Sequence, residues 1–253
     1  MTFAPPGRAR ERILSFGGPG AGKTRDWVSI AEAYGAQETP PGRFHIIDTD
    51  FTTERSLDGN ALAEKVVAKV WMAPEWEDYI RAASTILKIA KPDDWLIIDM
   101  LTPTWEMCQE YYIERIFGKE YDEFFLKARE SNAKGNPLDG FKDWGVINKM
   151  YRSHVSQTIL RAPCHVFATS AVAALSSDLE GKEIKQIFGK FGVKPVGQKA
   201  NSHNFHSVLW KQNPKSGVWD LTTIKDRERE EQVKTPIEDF ARDYLKGVAK
   251  WST

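Results

Sequence analysis

The sequence predicts an α/β fold in which a mostly parallel sheet is covered by helices. Strand-like and helical runs alternate along the chain, which is typical of parallel sheets. A glycine-rich loop, residues 17–24, joins the first predicted strand to the first predicted helix. Several of the strand-like runs are almost entirely apolar, as expected for strands that are buried on both faces.

Composition excludes several classes of protein. The chain has 253 residues, of which 41% are hydrophobic, and its 35 Lys and Arg residues balance 35 Asp and Glu residues. The apolar content excludes a mainly disordered chain. The balanced charge excludes a protein that is basic over its whole surface, so any contact with nucleic acid must be local. Because neither a signal peptide nor a run of ~18 apolar residues is evident, we expect a cytoplasmic protein without a membrane partner.

The first half of the chain alternates between predicted strands and predicted helices. The strands are the runs at 12–16, 44–48, 66–71 and 95–99. A helix is predicted at 23–34, where Gly35 and the pair Pro40 and Pro41 end it. A second helix is predicted at 75–90, because apolar residues recur there at three- and four-residue spacing.

The second half begins with a helical insertion at about 103–140, and a long amphipathic helix is predicted at about 141–160. A buried strand follows at 164–168. The runs 205–211 and 218–224 predict a β-hairpin, and a helical tail is expected at about 235–253. Since no linker or repeat is evident, we predict one domain over residues 1–253, with its core at about 12–230.

The strongest motif is the glycine-rich loop, which reads GGPGAGKT and matches the phosphate-loop pattern GxxxxGK[ST]. Glycines let successive backbone N–H groups face one anion, and the following helix adds its partial positive charge. Lys23 is expected to reach the β and γ phosphates of ATP, and Thr24 to place its hydroxyl on Mg²⁺. The predicted nucleotide-binding residues of the loop are Gly17, Gly18, Pro19, Gly20, Ala21, Gly22, Lys23 and Thr24.

Acidic residues follow two of the predicted strands. Asp99 ends the run WLIID and is expected to hold Mg²⁺ together with Thr24. Asp48 and Asp50 point to the same side of an extended chain, because side chains alternate along a strand. We predict that Asp50 orients the attacking water; the alternative is a solvated acidic loop in which Asp48 caps a turn.

The second strand resembles that of RecA-like ATPases, in particular the RadA-type recombinases, which carry IDTEGTF followed by an ER pair. Here the run is Ile47 to Phe51, IDTDF, followed by Glu54 and Arg55. The resemblance implies that Asp50 activates the hydrolytic water, although Asp is one methylene shorter than the family's Glu. It spans roughly residues 12–230 and is greatest to small phage-encoded RecA-like nucleotide-binding proteins, some of which act in single-strand annealing and recombination.

Two further parts of the chain resemble the same family. WLIIDM resembles the Walker B strand, and VFATSAVA resembles the next strand, whose end carries a γ-phosphate sensor; here Thr169 and Ser170 replace the usual Asn-Gln pair. Lys225 and Arg227 resemble the KxR pair that reaches the ATP of an adjacent subunit, which implies a homo-oligomeric ring or filament. The alternatives are local backbone contacts for Thr169 and Ser170, and a solvated helix start for Lys225 and Arg227.

A local basic surface is predicted between residues 181 and 225, because this stretch contains eight lysines and only two acidic residues. Lysines neutralise backbone phosphates, and aromatic rings stack on unpaired bases. The resemblance places this stretch at a DNA-lining loop. The alternative is a solvated loop whose phenylalanines pack on the sheet. The predicted DNA-binding residues are Lys185, Phe188, Lys190, Phe191, Lys194 and Lys199.

The leading functional hypothesis is an oligomeric ATPase that uses Mg²⁺, binds single-stranded DNA and promotes annealing or strand exchange. A single-strand-binding protein is a possible partner, and the host cytoplasm is the expected location if the gene is carried by a phage. One alternative is a kinase of nucleotides or small metabolites, since the loop also resembles that of adenylate kinases. Another is an ATP-gated assembly or packaging module without annealing activity.

Overall fold

The computed structural model describes residues 10–131, 137–140, 142–176, 181–227 and 234–249. In chain order the strands are β1 (Arg12–Gly17), β2 (Phe44–Asp48), β3 (Val67–Met72), β4 (Trp95–Asp99), β5 (His165–Ser170), β6 (Val172–Ala174), β7 (Val193–Pro195), β8 (Ser207–Lys215), β9 (Val218–Asp226) and β10 (Lys234–Pro236). The α-helices are α1 (Lys23–Gly35), α2 (Thr53–Leu57), α3 (Ala61–Val66), α4 (Trp76–Ile89), α5 (Pro103–Phe117), α6 (Tyr121–Glu130), α7 (Asp143–Tyr151), α8 (Gln157–Arg161) and α9 (Lys182–Phe188).

Eight of the described strands form one sheet, in the order β10-β9-β8-β1-β5-β4-β2-β3. The six strands from β8 to β3 in this order are parallel. Strand β9 is antiparallel to β8, and β10 is antiparallel to β9. The predicted α/β class with a mostly parallel sheet is therefore confirmed, and the architecture is compatible with a Rossmann-like or P-loop-like fold.

Helices cover both faces of this sheet. Helices α1 and α3 and the C-terminal segment share one core with residues such as Ile13 and Ile97. Helices α4, α5, α7, α8 and α9 share the other core with Leu14 and Ile98. Neighbouring strand residues thus enter opposite cores, which explains why the central strands are apolar at successive positions.

The predicted elements of the first half and the C-terminal hairpin occur where the sequence placed them, within a few residues. The long helix predicted at 141–160 is present as α7 and α8 joined by a π-helical segment, Arg152–Ser156, although Phe141 lies outside the described residues. Helices α5 and α6 occupy the predicted insertion, of which residues 132–136 lie outside the description. No described helix is both long and apolar enough to cross a membrane.

Two parts of the chain differ from expectation. The predicted helical tail begins with strand β10, and its helical part is a π-helical segment at Ala241–Lys246. Residues 228–233 and 250–253 of the predicted core and tail lie outside the description. The stretch after Ser176 also contains more regular structure than a loop, since α9 leads through a 3-10 turn into β7, which pairs with β6.

The sheet order creates a crevice at the carboxyl ends of β1 and β5. In this strand order, the connection from β1 to β2 runs toward the β3 edge of the sheet, whereas the connection from β5 to β8 runs toward the β10 edge. Ligands of open α/β sheets bind at such a switch of direction, outside the carboxyl ends of the strands. The glycine-rich loop follows β1, and Thr169 and Ser170 end β5, so both lie at this crevice.

Candidate phosphate-binding site

The glycine-rich loop connects the end of β1 to the start of α1. Gly20 and Gly22 have φ angles of 72° and 79°, in the left-handed region that glycine adopts without steric cost. A Cβ atom on Gly17 would lie 2.3 Å from the carbonyl oxygen of Lys211, so this position also excludes a side chain. The backbone therefore depends on glycine at three positions of the motif, each for an identifiable reason.

The side chain of Lys23 folds over the loop from the first turn of α1. Its Nζ atom donates hydrogen bonds to the carbonyl oxygens of Gly17, at 3.0 Å, and Gly18, at 3.1 Å. Burial lowers the pKa of Lys23, and the nearby carboxylates of Asp99 and Asp50 oppose that shift. The loop and its lysine thus place a cation and a helix N-terminus at one point, which is the arrangement that binds anions.

Asp99, at the end of β4, is the buried centre of a small polar network. Its carboxylate accepts a hydrogen bond from Nε1 of Trp27 at 2.8 Å and another from the hydroxyl of Thr169. It also interacts with the Thr24 side chain, and burial raises its pKa despite these donors. The predicted pair Thr24 and Asp99 is therefore brought together, with Thr169 of the intervening strand β5 as a third member.

The two carboxylates that follow β2 have different environments. Asp48 is fully buried and accepts hydrogen bonds from the backbone N–H groups of Asp50, Phe51 and Thr53, at 3.2, 2.8 and 3.0 Å. Phe51 has a φ of 60°, which is unusual for a bulky residue, and these bonds stabilise the turn that requires it. Asp48 therefore caps the turn, as the alternative interpretation of this loop anticipated.

Asp50 is half-buried and close enough to Lys23 and Asp99 to interact with both electrostatically. Burial, together with the charges of Asp99 and Asp48, raises its pKa to about 6, although a hydrogen bond from Thr52 at 2.8 Å opposes the shift. A carboxyl group with a pKa near neutrality can exchange a proton at physiological pH. Its environment is thus suited to a general base, although the role itself stays a prediction.

Thr169 and Ser170 are both buried at the end of β5 but make different contacts. Thr169 donates to Asp99, whereas Ser170 donates to the carbonyl oxygen of Val196 at 2.9 Å and contacts the hydroxyl of Thr102 at 3.1 Å. Only Thr169 of this predicted sensor pair therefore contacts the candidate site. Ser170 instead connects the end of β5 by hydrogen bonds to the segments that contain Thr102 and Val196.

Lys225 and Arg227 lie away from the loop of their own chain. Lys225 is paired in register with Val208, near the start of β8, whereas Gly17 is paired with Lys211 further along that strand. The ammonium of Lys225 donates to the carbonyl oxygens of Ser202 and Phe205, at 2.7 and 2.9 Å. Burial lowers its pKa to about 8.

Arg227 is exposed and donates to the carbonyl oxygen of His203 at 3.1 Å. Its separation from the loop of the same chain is compatible with action on a neighbouring subunit. Because the structure contains one chain, that action stays a prediction.

The predicted DNA-binding residues are only partly accessible. Lys185, Lys190 and Lys199 are exposed, whereas Lys194 is half-buried. Phe188 is 1% exposed and packs edge-on against Phe16, with ring centroids 6.1 Å apart. We therefore remove Phe188 from the predicted base-stacking residues, because its ring fills the core beneath the crevice.

Phe191 remains a candidate for stacking, since it is half-buried and lies at the surface of the segment. The Lys190 ammonium lies over its ring, 4.9 Å from the ring centre, and the ring forms a T-shaped pair with Trp210, with ring centroids 6.5 Å apart. The ring thus packs against a residue of strand β8. The Lys190 cation close to this ring supplies positive charge of the kind that attracts backbone phosphates.

Sequence reasoning missed a buried ion pair beneath the loop. Lys211 of β8 and Asp26 of α1 are in direct contact, and they are 4% and 1% exposed. Lys211 is one of the eight lysines of the predicted basic stretch, but burial and pairing remove it from that surface. The available signal was a lysine inside an otherwise apolar strand, which is rarely left unpaired when it is buried.

A cavity lies apart from the loop, between the start of α4 and the helices α5 and α6. Its volume is about 590 Å³. Six of its lining residues carry carboxylates and one carries a guanidinium, so its charge disfavours phosphate groups. The charged lining residues are Glu75, Glu77, Glu110, Glu114, Glu120, Asp122 and Arg115.

The fold and these contacts define an open α/β protein with a glycine-rich, lysine-bearing loop at the carboxyl edge of its sheet. No protein-family model matches the chain, and no curated protein matches its sequence. The geometry of the site is therefore the basis on which a function can be inferred. Among the described residues, no group of three or more His, Cys, Asp or Glu side chains is placed to hold a metal.

Proposed function

We propose that this protein is a RecA-like P-loop ATPase that binds and hydrolyses ATP with Mg²⁺. The observation that carries the proposal is the convergence of the Lys23 ammonium and the interacting pair Thr24 and Asp99 at one edge of the sheet. These groups come from a loop and a strand that are about 75 residues apart in the sequence. Their convergence is what phosphate binding requires and what a chance glycine turn does not explain.

The residues of the site fit magnesium and a nucleoside triphosphate. The loop N–H groups and Lys23 hold anionic phosphate oxygens, and Thr24 and Asp99 supply the oxygen atoms that Mg²⁺ prefers. When bound, the metal neutralises negative charge that develops on the phosphate chain. Thr169 keeps the Asp99 carboxylate oriented through its hydrogen bond.

Asp50 is the proposed general base. Its carboxylate lies near both Lys23 and Asp99, and its raised pKa suits acceptance of a proton from water. Asp48 supports it indirectly by holding the backbone of the turn from which Asp50 projects. A shorter side chain than the Glu of RadA-type proteins requires the water to lie closer to the strand end.

The proposal includes assembly and contact with single-stranded DNA. Lys225 and Arg227 lie away from the loop of their own chain, so contact with a bound nucleotide requires a second subunit. Exposed Lys185, Lys190 and Lys199 supply positive charge for backbone phosphates. An annealing or recombination role follows from the resemblance to phage-encoded RecA-like proteins, and a single-strand-binding protein is a compatible partner in the host cytoplasm.

The decisive experiment measures release of inorganic phosphate from ATP by the full chain, with and without Mg²⁺. Lys23→Ala is expected to lower the rate about 10²–10³-fold, since removal of one charge-stabilising group has that effect in other enzymes. The exposed Lys88→Ala on α4 is the matched control and should match the parent protein. Equal rates for the parent and Lys23→Ala would contradict the proposal.

The same assay separates the alternatives. Phosphate transfer to nucleoside monophosphates, in place of phosphate release, would indicate a kinase. ATP binding without hydrolysis in either the parent or Asp50→Ala would favour an assembly module. An ATPase rate that rises with protein concentration and with added single-stranded DNA is the result expected for an oligomeric RecA-like enzyme.

A further inference from the structure

Lys211 makes an unusual set of contacts for a lysine. It lies in β8, in register with Gly17, and only 4% of it is exposed. Its Nζ atom donates to the carbonyl oxygen of Gly22 at 3.0 Å and contacts the carboxylate of Asp26. A buried ammonium therefore links a β-strand to the loop and to the first turn of α1.

Asp26 completes this arrangement from the helix side. Its other carboxylate oxygen accepts a hydrogen bond from Ser15 at 3.2 Å, and its backbone N–H donates to Gly22 at 3.2 Å. Burial raises the pKa of Asp26 to about 6, whereas Lys211 and, more weakly, Lys23 oppose the shift. The carboxylate is thus enclosed by β1, β8 and α1.

The contact with Gly22 has a direct consequence for the loop. The C=O of Gly22 and the N–H of Lys23 belong to one planar trans peptide unit, so they point in opposite directions. Donors from Lys211 and Asp26 hold the carbonyl, and this fixes the direction of the Lys23 N–H. That N–H is one of the first donors of α1, which have no acceptor within the helix.

Trp219 contacts the loop from the same hairpin. Its Nε1 atom lies 3.4 Å from the carbonyl oxygen of Gly20, the other left-handed glycine of the loop. A Cβ atom on Gly22 would also lie 3.4 Å from both Lys211 Nζ and Trp219 Nε1. The β8–β9 hairpin therefore touches both glycines whose conformation shapes the loop.

A stabilising role alone does not account for these contacts. Buried ion pairs often contribute little net stability, because desolvation of both charges offsets their attraction. Apolar residues in β8 and α1 could fill this space, but they would remove the side-chain donor that Lys211 supplies to the carbonyl of Gly22 and leave it the backbone N–H of Asp26.

We propose that Lys211 is a positioning residue, which acts with Asp26 to orient the loop peptide groups and thereby sets the affinity for the phosphate chain of the nucleotide. The proposal rests on the function proposed above, since it concerns the same loop. It assigns to the C-terminal hairpin a part of the site that the GxxxxGK[ST] motif does not contain.

The test compares stability with nucleotide affinity in four proteins: the parent, Lys211→Met, Asp26→Asn and the double variant. Lys211→Met leaves a buried carboxylate unpaired, so both the melting temperature and the affinity for ATP should fall. The double variant removes both charges, so its melting temperature should recover toward that of the parent. Its ATP dissociation constant should remain about tenfold higher, because the side-chain donor from position 211 to the Gly22 carbonyl is still missing.

Steady-state kinetics provide a second readout. A positioning role predicts that the double variant has a raised KM for ATP and a nearly unchanged kcat, in contrast to Lys23→Ala, which lowers kcat. Lys215→Met, at the exposed end of β8, is the matched control and should behave like the parent.

Two results would overturn the inference. The first is that Lys211→Met binds ATP with the affinity of the parent. The second is that ATP affinity and melting temperature recover together in the double variant. Either result would mean that the pair has a purely structural role. If the parent and Lys23→Ala both fail to bind ATP, the proposed function fails as well. If the parent binds ATP and the Lys211 variants bind it equally well, the inference fails but the proposed function does not.

Discussion

The polar residues around Asp99 and the lysines of the 181–199 segment differ in how the fold holds them. Asp99 and Thr169 are buried and hydrogen-bonded to one another across neighbouring strands. Lys185, Lys190 and Lys199 are exposed on a segment built from a short helix, a 3-10 turn and a small ribbon. Packing specifies the geometry of the first group, whereas the second group lies at the surface of the protein.

The difference indicates what each region can do. A buried, hydrogen-bonded set of side chains is held in one geometry, as chemistry on a phosphate requires. Exposed lysines suit a ligand that is recognised by its charge and not by its shape. Phe188 is the exception, because it belongs to the exposed segment by sequence but to the core by contact.

Phe188→Ala should therefore have the largest effect on stability of any change in the 181–199 segment. Removal of a fully buried phenylalanine costs about 3–5 kcal/mol, through lost burial and the cavity that remains. Urea denaturation of the variant measures this loss. Phe191→Ala, which removes a half-buried ring, is the comparison and should cost less. A stable Phe188→Ala protein that fails to bind single-stranded DNA would reverse the assignment of this residue.

Asp50→Asn should lower ATP hydrolysis by about 10²-fold, the lower end of the range for a general base. The pKa of Asp50 is raised to about 6, so the active carboxylate is lost as pH falls below that value. The parent rate should accordingly rise with pH through about 6 and then level off. That rise should be absent in Asp50→Asn, and a profile identical in both proteins would exclude Asp50 as the base.

Thr169→Val tests whether the network around Asp99 acts through its hydrogen bonds. Valine has nearly the same shape but no hydroxyl, so Asp99 loses one of its donors. We expect about a tenfold lower ATPase rate, in line with a lost hydrogen bond to a charged group. Ser170→Ala is the control at the neighbouring position, because Ser170 does not contact Asp99. Similar losses in both variants would point to a general disturbance of the strand end.

A triple variant, Lys185→Ala with Lys190→Ala and Lys199→Ala, tests the exposed region and should have the smallest effect. Affinity for single-stranded DNA depends on salt with a slope of about −0.7 for each phosphate neutralised. The slope of the triple variant should therefore be smaller in magnitude by about 2, while its ATPase rate without DNA is unchanged. An unchanged salt dependence would place the DNA elsewhere.

Much of the fold could be predicted from local patterns. The path from β1 through the loop to α1 lies within one continuous stretch, so spacing and glycine content predict it. The apolar strands ending in Asp48 and Asp99 were evident for the same reason, and parallel pairing brings their ends to one edge. Strand β10 was missed because its three residues carry too little pattern to distinguish a strand from a tail.

By itself, the sequence determined the strand–loop–helix unit, the carboxylates that end the strands and the mostly parallel sheet, because periodicity and backbone chemistry are local. Only the tertiary structure decided that Lys211 pairs with Asp26 and that Phe188 lies in the core. The paired residues are 185 positions apart, and exposure depends on which surfaces meet. Composition could not separate a lysine that faces solvent from one that supports the loop, since burial is a property of the assembled layers.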